Sequence, residues 1–120
     1  MTDTTARVRE LHLYRQYFDL VIVGNKTIEV RVKYPHLADI SVGDIIRFRI
    51  KGTDETCEVQ VKRVTEYPDF EALLDGEGAT NINPTATRDE QLVNIRTIYP
   101  PEKETLGALA IEIEQLQRRI

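Results

Sequence analysis

Cysteine occurs once, at Cys57, so no internal disulfide can form, which fits a reducing compartment. The two histidines, His12 and His36, stand far apart. With one cysteine they do not make the four clustered ligands of a structural zinc site, and neither a metal nor another cofactor is expected. No apolar run approaches the ~20 residues that span a bilayer, which argues against a membrane partner. The opening stretch, MTDTTARVRE, is polar and lacks the apolar segment of a secretory signal. A cytoplasmic protein is the expectation. Runs of lysine and arginine, internal repeats and low-complexity segments are missing too.

What remains is a globular composition, 41% hydrophobic and 30% charged over 120 residues. That length fits one domain, 1–120, able to bury a core without staples. A net charge of −4 would ordinarily count against nucleic acid, but the charge is unevenly spread. Residues 1–63 hold 11 Lys/Arg against 9 Asp/Glu, a balance of +2, while residues 64–120 hold 5 against 11, a balance of −6. If the two halves form different surfaces, one is locally basic, and local potential is what a phosphate backbone meets.

Val8 to Tyr14 suits a first strand with Leu11 and Leu13 on one face. Tyr14, Phe18, Val21 and Ile22 then recur at helical spacing, and Gly24 with Asn25 closes that helix, since both tolerate a left-handed backbone. Ile28, Val30 and Val32 alternate with Thr27, Glu29 and Arg31 as in a half-buried strand. Tyr34-Pro35-His36 breaks it, and Ser41 to Asp44 reads as a turn. Ile46, Phe48 and Ile50 alternate with Arg47, Arg49 and Lys51, and a short connection leads to a strand over 56–65 with Cys57, Val59 and Val61 inward.

Asp69 caps a short helix, 70–74, stopped by Gly76. Residues 77–86, EGATNINPTA, read as a polar loop without regular structure and a candidate lid. Thr87-Arg88-Asp89-Glu90 has the spacing of a capping box. The helix it opens carries Leu92, Ile95 and Tyr99 inward and ends at Pro100-Pro101. Leu109, Ile111 and Ile113 form a closing strand, and Gln115 to Ile120 a fraying tail. The three middle strands, each apolar on one face, suit antiparallel pairing, and the last strand pairs back beside an early one. The class is α+β: a small curled sheet or barrel with helices at its ends.

Gly24-x-Lys26-x-x-Glu29-x-Arg31 resembles the G-x-K-x-x-E-x-R pattern of ASCH domains, which belong to the PUA-like barrels. The surroundings are similar as well: a helix leads into the motif, a Gly43-Asp44 turn follows, and Ile98-Tyr99-Pro100 ends a late helix before Gly107 and the last strand. The resemblance covers about residues 10–115. It implies a PUA-like mixed β-barrel flanked by short helices, a cleft lined by the motif, and RNA or a modified nucleoside as partner. Gly24 would let the backbone turn sharply and come close to a ligand. Lys26 would point a cation into the cleft. Thr27, Glu29 and Arg31 share a strand face. The Arg31 fork suits a phosphate or base edge, and Glu29 can hold a neighbouring cation. The plainer alternative is an exposed strand pair worth ~0–1 kcal/mol.

Two function classes follow. As a binding module, the domain would use Gly24, Lys26, Glu29 and Arg31 in the cleft, with Lys33 nearby and Arg47, Arg49 and Lys51 as a basic stripe; Tyr34 or Tyr67 would stack a base. As an enzyme, it would resemble the family's N4-acetylcytidine amidohydrolases, whose set is a lysine like Lys26, a threonine three residues later and a glutamate before the last helix. Glu29 occupies the threonine place here, and the nearest threonine is Thr27. The third place falls near Pro84, with Glu77 and Glu90 the closest glutamates. Lys26, Glu29 and Thr27 are the candidate catalytic set, with Glu29 expected to keep Lys26 protonated. Metal-independent ribonuclease activity is a third reading. His12 and His36 read as surface residues, and Phe18, Phe48, Phe70 and Cys57 as core.

Overall fold

Ile46, Phe48 and Ile50 point to one side of a strand and Cys57, Val59 and Val61 to the same side of the next, so the two pair antiparallel over a shared core. That hairpin is the centre of the computed structural model, which describes residues 7–116. In chain order the elements are β1 (Val8–Leu13), α1 (Arg15–Ile22), β2 (Ile28–Val32), a 3-10 turn (Pro35–Leu37), β3 (Ile45–Ile50), β4 (Thr56–Tyr67), α2 (Phe70–Glu77), α3 (Ala79–Ile82), α4 (Arg88–Ile98), α5 (Pro101–Glu104) and β5 (Ala108–Gln115). The five strands form one mixed sheet in the order β1-β3-β4-β5-β2, with β1 parallel to β3 and the other pairs antiparallel. The sheet curls until its two edges approach: Arg31 Nη2, from β2, donates to the carbonyl of His12 in β1 at 2.8 Å. The result is a half-barrel with short helices, α+β as expected.

Leu11, Phe18, Phe48, Val59 and Ile111 belong to the core inside the curl. A second core, with Ile28, Val32, Phe70, Leu73 and Ala108, lies where the helices cover β2 and β5. Those two strands are therefore covered on both sides, which corrects the expectation of one-faced strands; Ala108 and Ala110 are the small residues that let α2 approach. β2 also does not join β3. The chain over 33–44 is too long for a tight turn and carries β2 to the far edge beside β5. β4 runs on to Tyr67 because a bulge between Val61 and Arg63 resets its alternation.

Asp69 caps α2 through Ala72 N–H at 2.8 Å, and Thr87 with Glu90 forms the full capping box of α4. Gly76 does not stop α2. Its missing side chain makes room for the Tyr67 ring, which a Cβ there would meet at 2.7 Å, and the helix ends instead at Gly78, with φ of +89°. Residues 77–86 are not an irregular lid either. They hold α3, bury Ile82 and Asn83, and are pinned by Gln91, whose side-chain amide donates to the carbonyls of Ala79, Asn83 and Ala86. Pro101, expected to finish a helix, begins α5, where its missing N–H is harmless. β5 extends through Gln115; the rest of the expected tail, 117–120, and the opening residues 1–6 lie outside the described residues.

Candidate functional site

The two sheet edges do not zip together, and the seam between them opens into a cleft of about 240 Å³. Each element contributes one wall. The end of β1 supplies His12 and Leu13, followed by Tyr14; α1 supplies Tyr17; the second edge supplies Lys26, Glu29, Val30 and Arg31. α4 lies across the top with Gln91, Asn94, Ile95 and Ile98, the i, i+3, i+4, i+7 face of a helix, and Tyr99 follows. Most of this wall is apolar or aromatic, with a few convergent polar groups, the composition of a small-ligand site.

The charged groups of the motif form one chain of contacts. Lys26 Nζ donates to the carbonyls of Ile28 at 2.9 Å and Ile82 at 3.3 Å, and lies 3.3 Å from Glu29 Oε1. An ammonium has three donors. All three are engaged, so Lys26 ties α3 to β2 rather than offering a proton to the cleft. Glu29 Oε2 accepts from Arg31 Nε at 2.6 Å. Arg31 also spends one Nη2 hydrogen on His12 and interacts with Tyr99, which borders the cleft with it. Of the three, Arg31 has the most exposed side chain, 17% against 4% for Lys26 and 5% for Glu29.

Burial pushes the Lys26 amine below its ordinary value, while the Glu29 carboxylate pulls the other way. Because three acceptors surround Nζ, we assign it as the ammonium. For Glu29, burial alone would raise the carboxyl, but the charges of Arg31 and Lys26 outweigh it and hold the group below its ordinary range. Burial of Tyr99 raises its phenol.

The remaining expected site residues are not brought together. Thr27 is exposed, with Oγ1 3.5 Å from the Asn81 carbonyl, and borders a separate depression with Gly24 and Lys62. Gly24 takes φ of +82° to close α1, as expected, but does not line the cleft. Tyr34 stacks on His36 at 5.7 Å and tilts against Tyr99 at 6.2 Å, within the second core. Tyr67 donates to Glu77 at 2.7 Å. Arg47 pairs with Glu58 at 2.8 Å, Arg49 with Glu10 at 2.8 Å, and Lys33 with Glu66 at 2.9 Å. Of the basic stripe, Lys51 alone reaches the cleft, 5.9 Å from the Tyr14 ring. Glu77 is held by Arg63 at 2.6 Å and Glu90 by its capping role.

His12, read from sequence as surface, borders the cleft. Tyr17, Gln91, Asn94 and the cleft side of Tyr99 were not legible as site residues. The one available signal was Gln91-x-x-Asn94, two amides at helical spacing on the face that also carries Ile95 and Ile98.

The ASCH domain model matches residues 11–117. A hypothetical protein, PH0355, has a crystal structure similar to this chain with a TM-score of 0.82 and 33% identity, covering 91% of this chain and 99% of that one. PF0455 from Pyrococcus furiosus is similar with a TM-score of 0.75 and 31% identity, over 92% of this chain and 99% of its own. The ASCH protein from Zymomonas mobilis shares the fold at 15% identity, with a TM-score of 0.67, over 93% of this chain and 68% of that one. No curated protein matches the chain.

Proposed function

Because the chain belongs to the ASCH domain family, we propose that its seam cleft binds a base of RNA, or a modified nucleoside, without reacting with it. ASCH domains are generally associated with RNA. The observation that carries this reading is the placement of Arg31, whose partly exposed side chain lines a cleft walled by Tyr17, Tyr99 and isoleucines. A planar fork beside aromatic faces suits a base or its phosphate.

Hydrolysis is less well supplied. The Lys26 hydrogens are committed to protein acceptors, Thr27 faces a different depression, and Glu77 and Glu90 are engaged elsewhere. Acyl transfer to a threonine would therefore lack both its nucleophile and a base within reach. Fluorescence titration of single-stranded RNA and of nucleosides tests the binding reading, and Arg31→Ala should weaken it by about tenfold or more. N4-acetylcytidine incubated with the protein should be recovered intact by chromatography. Cytidine release that disappears in Lys26→Ala would replace this reading with the amidohydrolase.

A further inference from the structure

The hydrogen-bond phase of the two edge strands determines which main-chain groups face the cleft. Ile113 N–H donates to the Thr27 carbonyl and Lys33 N–H to that of Gly107, both at 2.9 Å, at the two ends of the antiparallel β2–β5 ladder. Ladder bonds alternate along an antiparallel strand, so Glu29 and Arg31 also bond to β5. The peptide groups of Ile28, Val30 and Val32 point the other way, into the seam. The Ile28 carbonyl is taken by Lys26 Nζ and the Val32 carbonyl by Tyr34 N–H. Among the described residues nothing bonds to Val30 on that side, and Val30 borders the cleft. On the opposite edge, the bonds from Ile45 N–H to Arg7 and from Lys51 N–H to Leu13 turn alternate residues toward β3. His12 therefore faces the seam, as its carbonyl's bond to Arg31 requires.

Unpaired main-chain donors and acceptors in a partly buried wall are uncommon, because each carries a desolvation cost. In an extended residue the N–H and C=O lie side by side in one plane. Their complement is an acceptor beside a donor in one plane, which is the edge of a nucleobase. An extended peptide strand is also complementary. The bond from Arg31 to His12 crosses the seam, however, and the cleft of about 240 Å³ is compact. Both favour a ring over a strand.

Building on the binding function above, we propose that the Val30 main chain reads the hydrogen-bonding edge of the bound base, so that the ligand is a planar heterocycle with an N–H donor next to an acceptor. Specificity then rests on an unmodified edge and not on a side chain of the motif.

The test uses the full chain and two nucleoside series, cytidine with 5-methylcytidine and N4,N4-dimethylcytidine, and uridine with 3-methyluridine. Binding is followed by amide NMR shifts and hydrogen exchange. The free protein should exchange the Val30 amide faster than those of Glu29 and Arg31. A bound nucleoside should shift and protect it. Methylation on the edge should weaken binding by about tenfold or more, whereas the 5-methyl group, away from the edge, should not. Val30→Pro removes the donor without breaking a ladder bond, but proline also restrains φ, so the nucleoside series on the unaltered protein decides. If a nucleoside shifts Tyr99 and Arg31 while Val30 stays unprotected and edge methylation is harmless, main-chain reading is wrong and base binding stands. If no nucleoside binds, both fall. Protection of Val30 by a capped β-strand peptide but by no nucleoside would overturn the proposal in favour of strand addition.

Discussion

Lys26, Glu29 and Arg31 come from one eight-residue motif and do three different things. Lys26 satisfies two carbonyls, Glu29 joins two cations, and Arg31 reaches the seam. Glu29→Gln keeps the shape but leaves two cations without their shared carboxylate. Removing one partner of a buried pair costs about 3–5 kcal/mol, so we expect a loss of that size in urea unfolding. A loss under about 1 kcal/mol would mean that the trio is solvated in solution. The spacing alone places Glu29 and Arg31 on one strand face. It does not reveal that Lys26 turns back into the main chain, because the Ile82 carbonyl lies 56 positions away. Acid should test the same contacts. Glu29 lies below its ordinary value of 4.5, and Asp39, held by hydrogen bonds from Arg7 and Arg9, is lowered to about 2. Below their ordinary values the unfolded chain binds more protons than the folded one, so both contributions are present above pH 4.5. That of Glu29 is lost as pH falls below its ordinary value, and that of Asp39 as pH falls toward 2. Urea midpoints measured across this window should fall steadily with pH; a flat profile would contradict both shifts.

At the scale of elements, local chemistry was legible where one short segment decides the outcome. The Thr87–Glu90 box, the Asp69 cap and the alternation of β3 all came through. What failed depended on distant partners. Gly76 looks like a helix stop until Tyr67 is seen to occupy the space beside it. Residues 77–86 look irregular until Gln91, from the next helix, is seen to hold them. That the last strand returns beside an early one was legible, and β5 does lie beside β2; that β2 leaves β3 for the far edge has no local mark. The cleft inherits this mixture, since β2 carries the motif whereas α4 carries the wall opposite it. Thr87→Ala should therefore do more than lower stability by about 0.5–2 kcal/mol, the usual cost of losing such a cap. By loosening the first turn of α4 it should displace Gln91 and Asn94 and weaken nucleoside binding, read by titration at a temperature where the variant is fully folded. Unchanged affinity would show that α4 roofs the cleft without contacting the ligand.

Over the whole molecule, ion pairs cancel much of the basic surface that the sequence suggests. The +2 balance of residues 1–63 suggests a basic surface, yet Arg47 and Arg49, its most regular cations, are each paired with a glutamate on the outer face. Arg63, Arg88 and Arg96 are paired as well. Within the cleft, Lys26 and Arg31 against Glu29 leave one net positive charge, and Lys51 adds a second. A single strand releases counterions in proportion to the phosphates neutralised, with a slope of about −0.7 for each. Two charges give a slope of log affinity on log salt of about −1.4. Anisotropy titrations of a short single-stranded RNA over a range of salt should return a value near this, lower in magnitude by about 0.7 in Arg31→Ala. A slope of about −3 or steeper would require more phosphate contacts than the cleft can make. The outer stripe would then have to open its pairs with Glu58 and Glu10, and the Arg47→Ala, Arg49→Ala double variant would reduce that slope while leaving nucleoside binding unchanged.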